Sequence, residues 1–395
     1  FFNMRLLVQK VNEPQVPARS CKSKLWSALT SLSGHFRPSP SIMKAIFACL
    51  TLLLADLAHA AETTLPLLPE GAFTIAVIPD TQGYKGMATK AQPDSKDPLT
   101  NAVFAHHTAF IKDHLKDQNI VFVSHVGDIV DIDVWAQWKL ARENIDVFHG
   151  LVPYGLCVGN HDMKNDGNAS LFQHYFPSER FKEFPWYGGT FESANEEDQK
   201  KYGNNVNSYQ LVTAAGMNFV FIHLECNAPD PVLDWAGGIL DRYADRRACI
   251  STHMDLGVIL SPKTQQGFSQ DPQGRMLWSK VHKKQGNTPQ QMWDKLYRKH
   301  ANLGIVFSGD QSRVTSLHLT DTGDHGNIVH RLLSDYTSSG PMRLYRFLPA
   351  DNKVQVITWD TTANALTETS LYKAGREYHQ FEFDYDMRQK KLVQP

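Results

Sequence analysis

Val121 to Asp131 reads VFVSHVGDIVD and sets narrow limits on the fold. It opens as an apolar, β-branched and aromatic run, the pattern of a strand buried on both faces. It breaks at Gly127; a carboxylate, Asp128, stands just past the break, and Asp131 follows. In an α/β sheet the ligand crevice forms at the ends of buried strands. An Asp there faces a metal or substrate while the strand stays in the core. One Gly-Asp turn is ordinary, so repetition carries the weight. FTIAVIPD ends in Asp80, PYGLCVGNHD in Asn160, His161 and Asp162, RRACISTH in His253, and GIVFSGD in Asp310. Five apolar runs therefore each end in a residue with a metal-binding side chain.

With 395 residues, 42% hydrophobic and 11% aromatic, the chain has ample core for one large domain. A net charge of −1 argues against a general or sequence-specific nucleic-acid binder, which needs a clustered basic excess. Residues 1–42 carry scattered Lys, Arg, Ser and Pro and read as an upstream extension outside the fold. Met43-Lys44, the apolar AIFACLTLLLADLA and Ala58-His59-Ala60 read as a signal peptide over 43–60. The rival is a membrane anchor. The apolar run is short for a span of about 20 residues and contains Asp56, which favours cleavage. Export to the periplasm or outside is then expected, with no stable membrane span afterwards and a folded domain over 65–395. Cys157, Cys226 and Cys249 remain and read as small buried hydrophobes. A Cys226–Cys249 pair stays open if their strands are neighbours.

Helices are expected over Thr100–Asp117 and Asp133–His149, from apolar residues at helical spacing. Thr288-Pro289-Gln290-Gln291 reads as a helix start, with Thr as cap and Gln three residues on. From Thr315 the chain turns to strands: SLHLT, NIVHRLLSDY, MRLYRFLP and KVQVITW. Residues 181–207 and 260–288 read as long polar insertions, either pocket walls or solvated loops.

The ordered pieces PDTQ, GDIVD, GNHD, ISTH and SGDQS resemble those of the calcineurin-like metallophosphoesterase superfamily. The likeness runs from about Phe73 to about Trp359. With FPWYGG, NSYQLV, VLDWAGGIL and TDTGDHGNIVHRLLSDY it is similar to a secreted bacterial branch whose first motif carries Gln. The resemblance implies an α/β fold of two packed mixed β-sheets flanked by helices, a four-layer αββα sandwich. It implies two divalent ions (Mn, Fe, Mg or Zn) holding a phosphoryl group and activating a hydroxide, about 3.5–4 Å apart. Asp128 would bridge them. Asp80 and Gln82 would bind the first; Asn160, His253 and Asp310 would serve the second. His161 would contact the phosphate or protonate the leaving oxygen, with Asp131 orienting it. A small phosphomonoester or diester, or a lipid head group, would be the partner.

Asp162 reads as a turn cap rather than a ligand. His125 reads as core, and His106, His107 and His114 as surface or core. Glu225 is a further residue that could lie near the site.

Two departures stand against the resemblance. Gln82 replaces the usual first-motif His, and Gly309-Asp310-Gln311-Ser312 replaces Gly-His-x-His. Asp80, Gln82 and Asp128 offer only oxygen, which suits Mg, Mn or Ca better than Zn. His318, His325 and His330 are possible substitutes for a lost ligand. Two function classes follow: a secreted metal-dependent phosphoesterase with an altered first site, or a degenerate binding or structural protein that keeps the fold.

Overall fold

The computed structural model describes residues 64–388. The expected extension (1–42) and leader (43–60) lie outside the described residues. In chain order the strands begin β1 (Phe73–Ile78), β2 (Ile120–His125), β3 (Tyr154–Leu156), β4 (Tyr187–Thr190), β5 (Ser208–Ala214), β6 (Met217–Leu224), β7 (Arg247–Thr252) and β8 (Leu256–Val258). They continue β9 (Gln273–Arg275), β10 (Leu303–Ser308), β11 (Ser316–Thr322), β12 (Ile328–Ser334), β13 (Pro341–Leu348), β14 (Lys353–Asp360), β15 (Ala365–Leu366) and β16 (Gln380–Asp384). One seven-stranded sheet has the order β15-β14-β13-β1-β2-β3, with β16 also on β14. The other runs β11-β12-β10-β7-β6-β5-β4, and β8 pairs with β9.

The continuous apolar runs become the parallel strands. In the first sheet β1, β2 and β3 are parallel; in the second, β6, β7, β10 and β12. Every residue of β1 and β10 is buried, as strands covered on both faces must be. Between the sheets Ile75, Val77 and Phe122 meet Phe219, Phe221, Ile305 and Phe307. Phe122 and Phe221 stack with ring centroids 3.8 Å apart. Helices α1 (Ala102–Asp113) and α2 (Trp135–Asp146) cover the outer face of the first sheet through Phe104, Ile111, Trp138 and Ile145. Helices α3 (Asp230–Arg242) and α4 (Pro289–Lys295) cover the second through Val232, Leu233, Met292 and Trp293. The result is the four-layer α/β sandwich.

The helices are shorter than their apolar pattern suggests. Asn101 caps α1 by accepting from the Phe104 N–H at 3.1 Å, and the chain leaves the helix after Asp113. Asp133, expected inside α2, instead accepts from the Trp138 indole at 2.8 Å just ahead of the helix. The Thr288–Gln291 capping box forms as read. Cys226 and Cys249 do not pair; all three described cysteines are free and buried. Although β6 and β7 are neighbours, Cys249 faces Phe221. Cys226 lies five residues further on, about 16 Å at the usual strand rise.

Candidate metal centre

Six strands of the two sheets end at one edge. Asp80 follows β1, Asp128 follows β2, Asn160 follows β3, His253 follows β7, Asp310 follows β10 and Asp335 follows β12. Two of these turns hold a non-glycine residue in the left-handed region, Asp128 at φ 50° and Asp310 at φ 72°. Aspartate tolerates that region better than most residues. The turn folds each carboxylate back over the strand ends. Glycine is required beside them for space. A Cβ on Gly159 would strike the Asp128 carboxylate, and one on Gly309 would strike that of Asp80.

Asp80, Asp128 and His253 are buried, and each brings a ligand atom within 4.8 Å of the others. The His253 Nδ1–H donates to the Val126 carbonyl at 2.9 Å, so Nε2 is the atom turned inward. Nε2 lies 3.1 Å from Asp128 Oδ1 and 3.2 Å from Asp310 Oδ1. Neither approach is aligned as a hydrogen bond, and Nε2 is an orphaned buried atom. An imidazole fixed by its far nitrogen, with its near nitrogen among carboxylates, has the setting of a metal ligand. The donor set fits a divalent cation.

The electrostatics point the same way. Asp80, Asp128, Asp310 and Asp335 crowd together, and the cationic partners are His253 and Lys280. Burial, reinforced by Asp335, pushes the Asp80 carboxyl well above the usual range. Burial pushes Asp335 up to about 6. Burial acts on Asp128 in the same sense, but His253 overcomes it and holds Asp128 low. In return Asp128 and Asp80 draw the His253 imidazole well above its ordinary range, against burial. Lys280 likewise keeps Asp310 below its ordinary value despite burial. Crowded carboxyls pushed upward are groups for which protons and a divalent ion compete.

His161 sits at the mouth. Its main-chain N–H donates to Asp128 Oδ1 at 2.9 Å. Its ring Nδ1 is 2.7 Å from the Asp131 carbonyl and 2.8 Å from Lys90 Nζ. One nitrogen cannot donate to the first and accept from the second. The carbonyl is the shorter and fixed partner, whereas the Lys90 side chain is 53% exposed, so Nδ1–H is assigned to the carbonyl. Nε2 then faces inward, 3.8 Å from Asp128 Oδ2. Asp131 therefore holds His161 through its main chain; its carboxylate stands 3.8 Å from Nδ1 and accepts from the Lys90 N–H at 2.9 Å. Asp162 accepts from the N–H groups of Gly159, Ile129 and Val130 at 2.8, 3.1 and 2.9 Å. It ties the GNHD turn to the GDIVD turn. A cavity of about 170 Å³ opens over the centre, lined by Gln82, Asp128, His161, Lys280, Asp310 and Asp335, with Phe268, Gln311, Ser312 and Arg313 at its wall.

Other expectations fall away from this point. Glu225 is buried against Asn207 and His282, 2.8 and 3.1 Å away, and does not line the cavity. His318 and His330 face each other at 3.1 Å on β11 and β12, packed on Phe383. His325 lies in the turn between those strands, its Nε2 3.0 Å from the Lys299 carbonyl. None of the three replaces a lost ligand, because β12 reaches the site only at its other end, Asp335. Thr81 Oγ1 lies 3.0 Å from His125 Nε2, and burial pushes the His125 pKa down to about 3, as suits a core residue. Of the two insertions, 260–288 supplies Phe268 and Lys280 to the cavity, whereas none of the lining residues comes from 181–207. Asp335 and Lys280 line the cavity without being among the residues the sequence pattern selects. Asp335 had a signal, since NIVHRLLSD is another apolar run ending in a carboxylate. Lys280 had none, being one lysine in a polar loop.

Comparison with known proteins bears on the same segments. Residues 73–235 match the profile of the family described as calcineurin-like phosphoesterase. A Bacillus subtilis (strain 168) protein, described as uncharacterized protein YvnB, is 30% identical over 271 residues. That alignment takes in 65% of this chain, and the chain spans only 18% of the length of YvnB. Similar solved structures include a dimetal phosphatase from Danio rerio, with 11% identity, TM-score 0.45, and 80% and 99% of the two chains covered. Another is a 5'-nucleotidase precursor from Thermus thermophilus, with 11% identity, TM-score 0.39, and 75% and 53% covered. The similarity to the calcineurin-like phosphoesterase family is thus carried by residues 73–235, which hold Asp80, Asp128, Asn160 and His161.

Proposed function

We propose that this protein is an exported, metal-dependent phosphoesterase acting on small phosphate monoesters or diesters, free or as lipid head groups. The observation that carries the reading is the buried convergence of Asp80, Asp128 and His253, with the orphaned His253 Nε2 turned into it. Asp80, Gln82 and Asp128 would hold one ion, and Asn160, His253 and Asp310 would serve a second, with Asp128 between them. A bound divalent ion supplies Lewis acidity at the phosphoryl oxygens and makes a water more acidic.

The chain's own groups do the rest. The Asp131 carbonyl holds the His161 Nδ1–H, so the ring, when it is the imidazolium, can pass its Nε2 proton to the departing ester oxygen as water displaces that oxygen from phosphorus. Lys280 and Arg313, on the cavity wall, meet the negative oxygens of the phosphoryl group. Among the described residues no helix is long and apolar enough to cross a membrane. The leader pattern at 43–60 motivates export.

Hydrolysis of chromogenic phosphomonoesters and phosphodiesters with added Mn²⁺ tests the reading. Asp128→Asn is expected to lower kcat/KM by more than about 100-fold, the upper end of what losing a mere ligand-orienting group costs. Equal activity in wild type and variant would overturn it, as would no hydrolysis of either ester class.

A further inference from the structure

Lys280 reaches from the cavity wall into the centre. Its Nζ pairs with Asp310 Oδ1 and lies 3.4 Å from Asn160 Oδ1. Those are two of the oxygens that the phosphoesterase reading gives to a second ion. The three groups whose ligand atoms converge within 4.8 Å are Asp80, Asp128 and His253. One cation position is thus defined by three converging ligands, and beside it two donors are already engaged by an ammonium.

The lysine is delivered by an anchored stretch of chain. The Lys280 N–H donates to Asn227 Oδ1 at 2.9 Å, just past the end of β6. The Asn227 amide donates to the Asn287 carbonyl at 3.0 Å, and the Asn287 amide to the Ala228 carbonyl at 2.8 Å. Before the lysine, the Trp278 indole donates to the Val258 carbonyl at 3.0 Å. After it, the His282 N–H donates to the Asn165 carbonyl at 3.0 Å. Position 280 is therefore held from both sides, and the ammonium reaches the centre from a fixed base.

Charge gives the independent reason. A neutral imidazole in the last motif would carry no charge for an ammonium to balance. The carboxylate of Asp310 adds one negative charge, and Lys280 returns one positive charge next to it. A lysine ammonium is a compact point charge with three donors and no lone pair. It can neutralise oxygen donors and hold a phosphoryl oxygen, but it cannot act as a Lewis acid on water.

We propose that the centre is a hybrid. It takes one divalent ion at Asp80, Asp128 and His253, and the Lys280 ammonium occupies the place of a second ion between Asn160 and Asp310. The proposal rests on the phosphoesterase reading for what the centre does, but not for what it binds. Its test is ion stoichiometry by equilibrium dialysis against Mn²⁺ and elemental mass spectrometry. Wild type and Lys280→Arg are expected to hold one ion per chain. Lys280→Ala and Lys280→Met, which remove the charge with and without loss of volume, are expected to admit a second. Two ions in wild type would overturn the proposal, as would no ion in any form, or no second ion in both folded uncharged variants. Phosphoester hydrolysis measured on the same samples separates the two ideas. Two ions with hydrolysis refutes the hybrid and keeps the enzyme; one ion in wild type, a second in the variants and no hydrolysis refutes the enzyme and keeps the hybrid.

Discussion

Two buried charge clusters lie a few residues apart on the same strands, and they are built on opposite principles. Arg331, on β12, is fully buried and makes a two-point contact with Asp255, Nε to Oδ2 at 2.8 Å and Nη2 to Oδ1. Its Nη1 donates to Asp321 at 3.3 Å, and the rings of Trp293 and Tyr297 lie 5.6 and 5.8 Å from the guanidinium. Arg275 stands 3.5 Å from the other Asp321 oxygen, so two cations meet two carboxylates and charge there is matched. Asp255 comes two residues after His253, and Arg331 four before Asp335. At that neighbouring position four carboxylates, Asp80, Asp128, Asp310 and Asp335, face His253, Lys280 and, at the mouth, His161. A matched pair has nothing left to offer a ligand. A buried surplus of negative charge is unstable on its own and calls for a cation. Burial of charge alone therefore does not mark a site; imbalance does.

Breaking the matched pair should give the largest effect. Arg331→Met leaves Asp255 buried without its partner and is expected to cost about 3–5 kcal/mol in denaturant unfolding. Ion binding per folded chain should stay as in wild type. Loss of ion binding with unchanged stability would reverse the assignment of the two clusters.

Filling the unmatched cluster is the next test. Mn²⁺ at 100 times its Kd should stabilise the fold by about 2.7 kcal/mol, read as a rise in Tm. The rise should persist in Arg331→Met, be largely lost in Asp128→Asn, and vanish on chelation. An equal rise in Asp128→Asn would place the ion elsewhere.

The smallest effect uses pH to probe the apolar layer between the sheets, where polar groups are buried neutral. His223 lies 3.0 Å from Ser124 Oγ, and burial pushes its pKa down to about 3. Its folded value is below its unfolded value of about 6.5, so the unfolded chain binds the proton first. The stability it contributes is present above pH 6.5 and is lost as pH falls through that value towards 3. In metal-free protein the fall in Tm between pH 7.5 and 5 should be steeper in wild type than in His223→Gln. The difference matters because Asp80 and Asp335, held high, titrate in the opposite sense and partly mask the raw slope. Parallel slopes would show that His223 is not buried neutral.

Much of this is legible in the sequence, and the reasons are local. Strand ends were legible because β1, β2, β7 and β10 are continuous apolar runs and each is followed closely by a polar ligand type. The αββα layering followed from resemblance as much as from pattern. Helix ends were not legible, because Asn101 and Asp133 use their side chains on groups that only the folded chain places nearby. The histidines of β11 and β12 could not be excluded from the site without strand direction. Lys280 was invisible for a deeper reason. Its position depends on Asn227, which is 53 residues from Lys280 and is tied to Asn287 60 residues further on, and polar anchors of that kind leave no periodic trace.

The ends of β1, β2 and β3 belong to one sheet, and those of β7, β10 and β12 to the other. Asp80 and Asp128 therefore reach His253 and Asp310 only once the two sheets are stacked. Neither sheet carries a complete pocket, so competence to take up an ion is a report on assembly. The family match at 73–235 stops before His253 and Asp310, and so it contains one jaw of the clasp. An ion caught between the jaws would latch together two layers already held by apolar packing and by buried hydrogen bonds such as Ser124 to Ser251 at 2.7 Å.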